Sequence, residues 1–450
     1  PDSTNHRMAD IAVNESSGNI YVTGYTKTLF DFPIGDQVAS ALQNNADTTT
    51  PYTYDAYVVK MDKNGALKYT TYLGGDQDDF GTAIATHKHG ASGTEFVVVA
   101  GETTSGPETG ALANVAGFPL ADAFALGTII VDGWSTTVNL GFVTRLNTTG
   151  STSGAGWSTI VTGKAGGANT DALNTAITDV TIASKGASDV VYVSGWIDTT
   201  SNGDADSDID DTIVPAVLAT SSVHTTARDG IDGFVAYIWD IAVPAAAYSS
   251  STWIGGQSDD KIYGIAVADE DGITTTANAT TNDQYVYIVG QVASTTPLLT
   301  NALDIRDSDG NTTYSGGTKS SGKDVYVAKL KASLADGTYQ FQTGAGATTN
   351  YASPGLRWAS FFGGNGSDVG RGIDVANESM NAFITGYTDS TNLPMLYANQ
   401  AAIAVGDGNA TAGGDGDYDA FVARLSPSHG YVQGNPIALP VTITNGGSDG

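Results

Sequence analysis

Residues 55–85 read DAYVVKMDKNGALKYTTYLGGDQDDFGTAIA. Ala56-Tyr57-Val58-Val59-Lys60-Met61 is a short strand of apolar and aromatic residues. The Asn64-Gly65 step after it accepts the positive backbone angles of a tight hairpin. Lys68 to Leu73 forms a second strand, ended by Gly74-Gly75 and an acidic loop, Asp76 to Asp79, before a third apolar run, Thr82 to Ala85. No part of the stretch sustains an apolar period of 3.6, so it predicts antiparallel β-structure.

The rest of the chain repeats this stretch with variations. The motif Asp/Gly-aromatic-Val occurs around Tyr57, Phe142, Phe234, Tyr326 and Phe421, about 85 to 95 residues apart, and these five aromatics are expected to be buried between successive units. A second motif, an apolar triplet closed by glycine, precedes each one and ends at Gly24, Gly101, Gly195, Gly290 and Gly386. Before that lies a short apolar strand around Ile11, Ile84, Val180, Ile265 and Ile373. A fourth strand ends in Gly-Gly at Gly74-Gly75, Gly255-Gly256 and Gly363-Gly364, and in a degraded form before Gly166-Gly167. Each unit thus has four strands in fixed order, a to d.

Four short antiparallel strands, repeated at a period too long for a helical repeat, describe the blade of a β-propeller. A lone blade cannot bury both faces, so neighbours must pack face to face. The fold expected is all-β: a single, closed five-bladed β-propeller of four-stranded blades, with long b–c insertions on one face. Blades are expected at roughly 1–80, 81–170, 171–260, 261–368 and 369–430, with a tail at 431–450.

The sequences SSGNIYVTGYT, DAYVVKM, YTTYLGGDQDDFG, NAFITGYTDSTNLP and DAFVARL resemble the SBBP-type β-propeller repeat, from residue 10 to 425. The resemblance is strongest in the first and fifth units. The chain departs from the family in its long insertions and in the worn Gly-Gly strand of the second unit. The resemblance implies a propeller fold and a secreted or cell-surface setting in bacteria or archaea; it implies no catalytic residues.

Composition narrows the function. The 450 residues carry a formal net charge of −29, with Cys 0 and Gly 56. So acidic a chain repels nucleic acid and anionic membranes, and no apolar run reaches the roughly 20 residues that span a bilayer. Pro1 does not open a signal peptide, so any export signal is expected to have been removed. Without cysteine there is neither disulfide stapling nor thiolate-bound metal. Protein partners, self-association or surface glycans are the expected interactions, at an extracellular or cell-surface location.

No cofactor is required by any motif, but calcium is a candidate. Asp204, Asp206, Asp208 and Asp210 alternate along one insertion, and Asp307, Asp309 and Asn311 open another like a calcium loop; a hard cation needs six to eight oxygens. Asp415 and Asp417 form a further cluster. His87 and His89 would share one side of an extended strand, yet no third zinc ligand lies nearby. For enzyme chemistry the only axial carboxylates are Asp10, Asp179 and Asp374, the runner-up reading being a glycoside hydrolase or lectin. Tyr25, Trp134, Trp196 and Tyr387 are the aromatics on which a sugar would stack. The leading expectation is a noncatalytic structural, adhesive or filament component.

Blade five lacks a Gly-Gly strand after strand c. Ile437 to Thr444 is the one candidate to complete it, in cis within the chain or in trans on a neighbour.

Overall fold

The computed structural model describes residues 6–27, 53–89, 94–105, 118, 138–151, 156–164, 172–185, 188–198, 212–214, 230–240, 250–255, 258–269, 284–293, 322–331, 337–343, 347–353, 356–376, 381–393 and 418–425. These residues are all-β, without a helix. The first unit is β1 (His6–Val13), β2 (Ile20–Thr26), β3 (Asp55–Met61) and β4 (Leu67–Leu73), an antiparallel sheet in chain order. The second is β5 (Asp79–His89), β6 (Thr94–Thr103), β7 (Leu140–Leu146) and β8 (Trp157–Lys164). The third is β9 (Ala172–Lys185), β10 (Ser188–Asp198), β12 (Ile231–Asp240) and β13 (Ser250–Ile254), with β11 (Thr212–Val214) between. The fourth is β14 (Asp260–Asp269), β15 (Gln284–Val292), β16 (Asp324–Lys331) and β19 (Leu356–Phe362). The fifth is β20 (Asp368–Ala376), β21 (Asn381–Thr388) and β22 (Asp419–Leu425).

One register runs through all five units. Each strand a carries a β-bulge at the same place, beside the residue that faces the strand b glycine: Met8 faces Gly24, Gly81 faces Gly101, Ile177 faces Gly195, Ile262 faces Gly290 and Gly370 faces Gly386. A bulge bends its strand and increases the local twist. The glycine is required by close approach. A Cβ on Gly24 would lie 1.9 Å from the carbonyl oxygen of Arg7, and one on Gly101 1.9 Å from that of Phe80. Across the glycine, strand c places its aromatic: Tyr57, Phe142, Phe234, Tyr326 and Phe421 are all buried. That burial agrees with the sequence expectation.

Successive units pack face to face. Strand a of each unit lies against strands a and b of the unit before it: β5 on β1 and β2, β9 on β5 and β6, β14 on β9 and β10, β20 on β14 and β15. Four apolar clusters fill these four junctions. Among the described residues, β1 and β20 do not pack against each other as successive inner strands do.

The structure adds features the repeat does not show. The second and third units are joined into one nine-stranded sheet, because β8 and β9 pair at Gly163–Leu173 and Lys164–Ala172. β11, from the b–c insertion of the third unit, pairs with the outer strand β8 of the second. A separate hairpin, β17 (Gly337–Thr343) and β18 (Ala347–Ser353), is inserted between strands c and d of the fourth unit. The last unit shows three strands among the described residues, and the run Ile437 to Thr444 lies outside them.

Candidate functional site

The distinctive side chains of this protein are buried aspartates at the junctions. Strand c of one unit begins with an aspartate, and so does strand a of the next. Asp55 and Asp79, Asp232 and Asp260, and Asp324 and Asp368 hold these positions, and all six are buried. Gly74 and Gly363, the first glycines of their Gly-Gly turns, each sit between two of these aspartates, and Gly255 sits at Asp232. A Cβ on Gly74 would lie 2.1 Å from Asp55 Oδ1 and 2.7 Å from Asp79 Oδ2; on Gly363 it would lie 2.4 Å from Asp324 Oδ1 and 2.8 Å from Asp368 Oδ2. The turn must be glycine because two carboxylates occupy the space a side chain would take.

The strand a carboxylates are thoroughly bound. Asp79 Oδ2 accepts from the Gly75 N–H at 2.7 Å and the Ser105 hydroxyl at 2.9 Å, and Asp79 Oδ1 accepts from Thr103. Asp368 repeats this with the Gly364 N–H at 2.7 Å, the Ser390 hydroxyl at 2.8 Å and Thr388. Asp260 accepts from the Ala293 N–H at 2.8 Å. Burial in a low-dielectric seam disfavours the charged form, and it pushes the Asp79 carboxyl up to about 7 despite these donors. At the junction of the second and third units Leu140 and Thr175 stand in the two equivalent places. Both carboxylates are absent at this junction. There the Thr175 hydroxyl donates to Leu173 O at 2.9 Å, and the two units run on as one sheet.

Sequence reasoning passed over these pairs. Their signal was present: an aspartate opens strand c, and another follows the second glycine by four positions in GGDQDD, GGQSDD and GGNGSD.

Of the three axial carboxylates, Asp10 and Asp179 occupy equivalent positions and Asp374 lies two residues further along its strand. Asp10 accepts from its own strand at the Ile11 N–H and from the next unit at the Ile84 N–H, both at 2.8 Å. Asp179 accepts from the Val180 and Ile265 N–H groups, both at 2.8 Å. Each is a clamp between adjacent inner strands. Burial first, with the nearby Asp10 charge adding to it, pushes the Asp179 carboxyl up to about 7, and burial also raises Asp10. Asp374 accepts from the Val375 N–H at 2.8 Å and is exposed. Thr82 and Thr178, at the bulges, complete the junctions by donating to Ile177 O at 2.6 Å and Ile262 O at 2.7 Å.

His87 Nε2 lies 3.1 Å from Asp189 Oδ1 of the third unit, and no group of three or more ligands able to hold a metal occurs among the described residues. Asp204, Asp206, Asp208, Asp210, Asp307, Asp309, Asn311, Asp415, Asp417 and Trp134 lie outside those residues. Of the other aromatics, Tyr25 packs edge-on against Tyr54 and Phe80, with ring centroids at 5.4 and 4.8 Å, and Lys27 sits 4.9 Å over Tyr54. Trp196 lies under the Lys261 ammonium at 4.0 Å, and Tyr387 packs on Tyr418 at 4.9 Å. The basic residue that closes strand c has a use too. Lys60, Arg145 and Lys329 lie over aromatic rings of strand b, Tyr21, Phe96 and Tyr285.

No family model matches the chain, and no curated protein matches it.

Proposed function

We propose that the five units are the blades of a five-bladed β-propeller, and that the protein is a noncatalytic extracellular component with a structural, adhesive or filament-forming role. The observation that supports this best is the use made of the axial carboxylates. Asp10 and Asp179 have both oxygens taken up by backbone amides of two successive units, which is the work of a strut. The extracellular setting rests on the resemblance to the SBBP-type repeat. Two measurements test the reading. Class averages from electron microscopy are expected to show five blades in succession, with labelled antibody at the cell surface. Sugar release from a polysaccharide panel that disappears in Asp179→Asn would overturn the noncatalytic half.

A second reading is glycan binding, favoured by the half-buried rings of Tyr25, Tyr54 and Phe80 beside Lys27. Sugars stack on such rings, and Tyr25→Ala is expected to weaken retention on a glycan array if this is the contact surface.

Calcium in the acidic b–c insertions belongs to the first reading. Calcium added to chelator-treated protein is expected to release or absorb heat and to raise the thermal midpoint, in a manner lost when Asp204, Asp206, Asp208 and Asp210 are changed to Asn. No heat and no shift would remove calcium from the account.

A further inference from the structure

Lys60 stands near the end of strand c of the first unit and is 8 % exposed. Tyr21 is its cross-strand partner, and Asn19 lies two residues before Tyr21, just ahead of β2. Both side chains reach one carboxylate of the second unit, Glu95 in β6, which is 9 % exposed. Asn19 Nδ2 donates to Glu95 Oε1 at 3.2 Å and to Oε2 at 3.0 Å, and the Tyr21 hydroxyl donates to Oε1. Lys60 Nζ stands 4.0 Å from the same Oε1 and donates to Thr148 O at 3.2 Å. An amine, an amide and a carboxylate thus converge in a seam walled by the buried rings of Tyr21 and Tyr69, 5.1 and 5.9 Å from the Lys60 nitrogen.

An ion pair alone does not account for this arrangement. The carboxylate makes its short contacts with the amide and the phenol, while the lysine nitrogen stands beyond the roughly 2.8 Å of a charge-assisted hydrogen bond. Burial first, against the pull of Glu95, lowers the Lys60 pKa and so raises the share of free amine. From its place opposite Tyr21, a lysine side chain spans the diagonal of about 7 to 8 Å to a residue two positions along the facing strand. The three groups meet in the first unit. The fourth has the lysine, Lys329 facing Tyr287, but Tyr285 in the place of Asn19. The fifth has Asn381 in the place of Asn19, but Arg424 in the place of Lys60.

We infer that Lys60 and Asn19 join through an amide bond between their side chains, formed by the folded chain itself with Glu95 as proton carrier. Lys60 Nζ attacks Asn19 Cγ; the Nζ–Cγ bond forms and the Cγ–Nδ2 bond breaks. Of the three protons of the lysine ammonium, one stays on the new amide and Glu95 passes two to Nδ2, which leaves as ammonium. No electron changes hands and no co-reactant is consumed. Holding amine and amide at one carboxylate replaces a bimolecular encounter, and the same carboxylate moves the protons. The bond closes a loop that contains the b–c insertion of the first unit, in a chain with Cys 0 that can make no disulfide there. It needs only the packing of the second unit on the first.

Tryptic mapping of the purified full chain by mass spectrometry tests this. Residues 8–27, which hold Asn19, are expected to appear joined to residues 28–63, uncut after Lys60, at the sum of the two peptide masses less one ammonia. Lys60→Arg keeps the cation but supplies no amine to be acylated. Glu95→Gln keeps amine and amide but removes the proton carrier. Both variants are expected to yield the two peptides apart, with circular dichroism to show that the fold is kept. Separate peptides from the wild-type chain, with trypsin cutting after Lys60, overturn the proposal, and that result depends on no variant folding. A link from Lys60 to Glu95 with loss of water overturns it as well, as does a Lys60–Asn19 link that forms undiminished in folded Glu95→Gln.

Discussion

Gly74 has no room for a methyl group. A methyl carbon there would lie 2.1 and 2.7 Å from the oxygens of two buried carboxylates, and moving Asp79 would break the hydrogen bonds that it accepts from Gly75 and Ser105. Gly74→Ala is therefore expected to lower stability by at least about 2 kcal/mol, read as a fall in the denaturant midpoint without a change in slope. Phe234 is fully buried in the cluster between the second and third units, and Phe234→Ala removes a whole ring from a site that strands a and b cannot collapse to fill. The expected cost is about 3 to 5 kcal/mol, measured in the same way. A loss below about 1 kcal/mol would mean that the ring is not packed as described.

At the scale of the strand, the paired elements carry a pH dependence with a definite sign. Asp79, at the start of β5, and Asp179, in β9, have carboxyls pushed up to about 7 by burial, against 3.8 for the ordinary side chain. In the window between these values the folded protein holds protons that the unfolded chain has released. The contribution of these groups is therefore full below about pH 4 and is lost as pH rises through 7. The thermal midpoint is expected to fall from pH 4 to pH 7.5. In the double variant Asp79→Asn, Asp179→Asn the fall is expected to be shallower. An unchanged slope in that variant would assign the pH dependence to other carboxylates. The bulge threonines make a smaller, pH-independent contribution. Thr178→Val removes a hydroxyl that donates to Ile262 O, at 2.7 Å, with Ser194 O at 3.1 Å as its alternative acceptor, and the expected loss is about 1 kcal/mol in the same denaturation experiment.

For the whole molecule, the four internal junctions are one interface used repeatedly, with local departures where the carboxylate pair is absent. At the junction of the second and third units, Thr175 in place of an aspartate leaves strands d and a free to pair, so the sheets fuse. Mutating Leu140 and Thr175 together to Asp is expected to introduce a further pH-sensitive seam at this junction and to steepen the fall in thermal midpoint. Two adjacent buried carboxyls repel when both are charged, so the double change is expected to cost at least as much stability at pH 7 as the two single changes together. A double-mutant cycle in thermal denaturation measures that coupling directly.

The four strands of the first four units and the three described strands of the fifth, with their order, were legible in the sequence, because the aromatic-Val motifs and the strand b glycines are local signals that recur. The burial of Tyr57, Phe142, Phe234, Tyr326 and Phe421 was legible for the same reason. The roles of the acidic residues were not. Asp55 and Asp79 are 24 positions apart, and only the packing of one unit on the next sets them on either side of Gly74. Asp10 and Asp179 read as candidate acids from their place on inner strands, yet each is a clamp, because an amide of the following unit arrives at its second oxygen. Repetition in the sequence thus determined the unit. What each carboxylate does was decided by the neighbour it meets across a junction, since the charge state and partners of a buried group depend on contacts that no local pattern encodes.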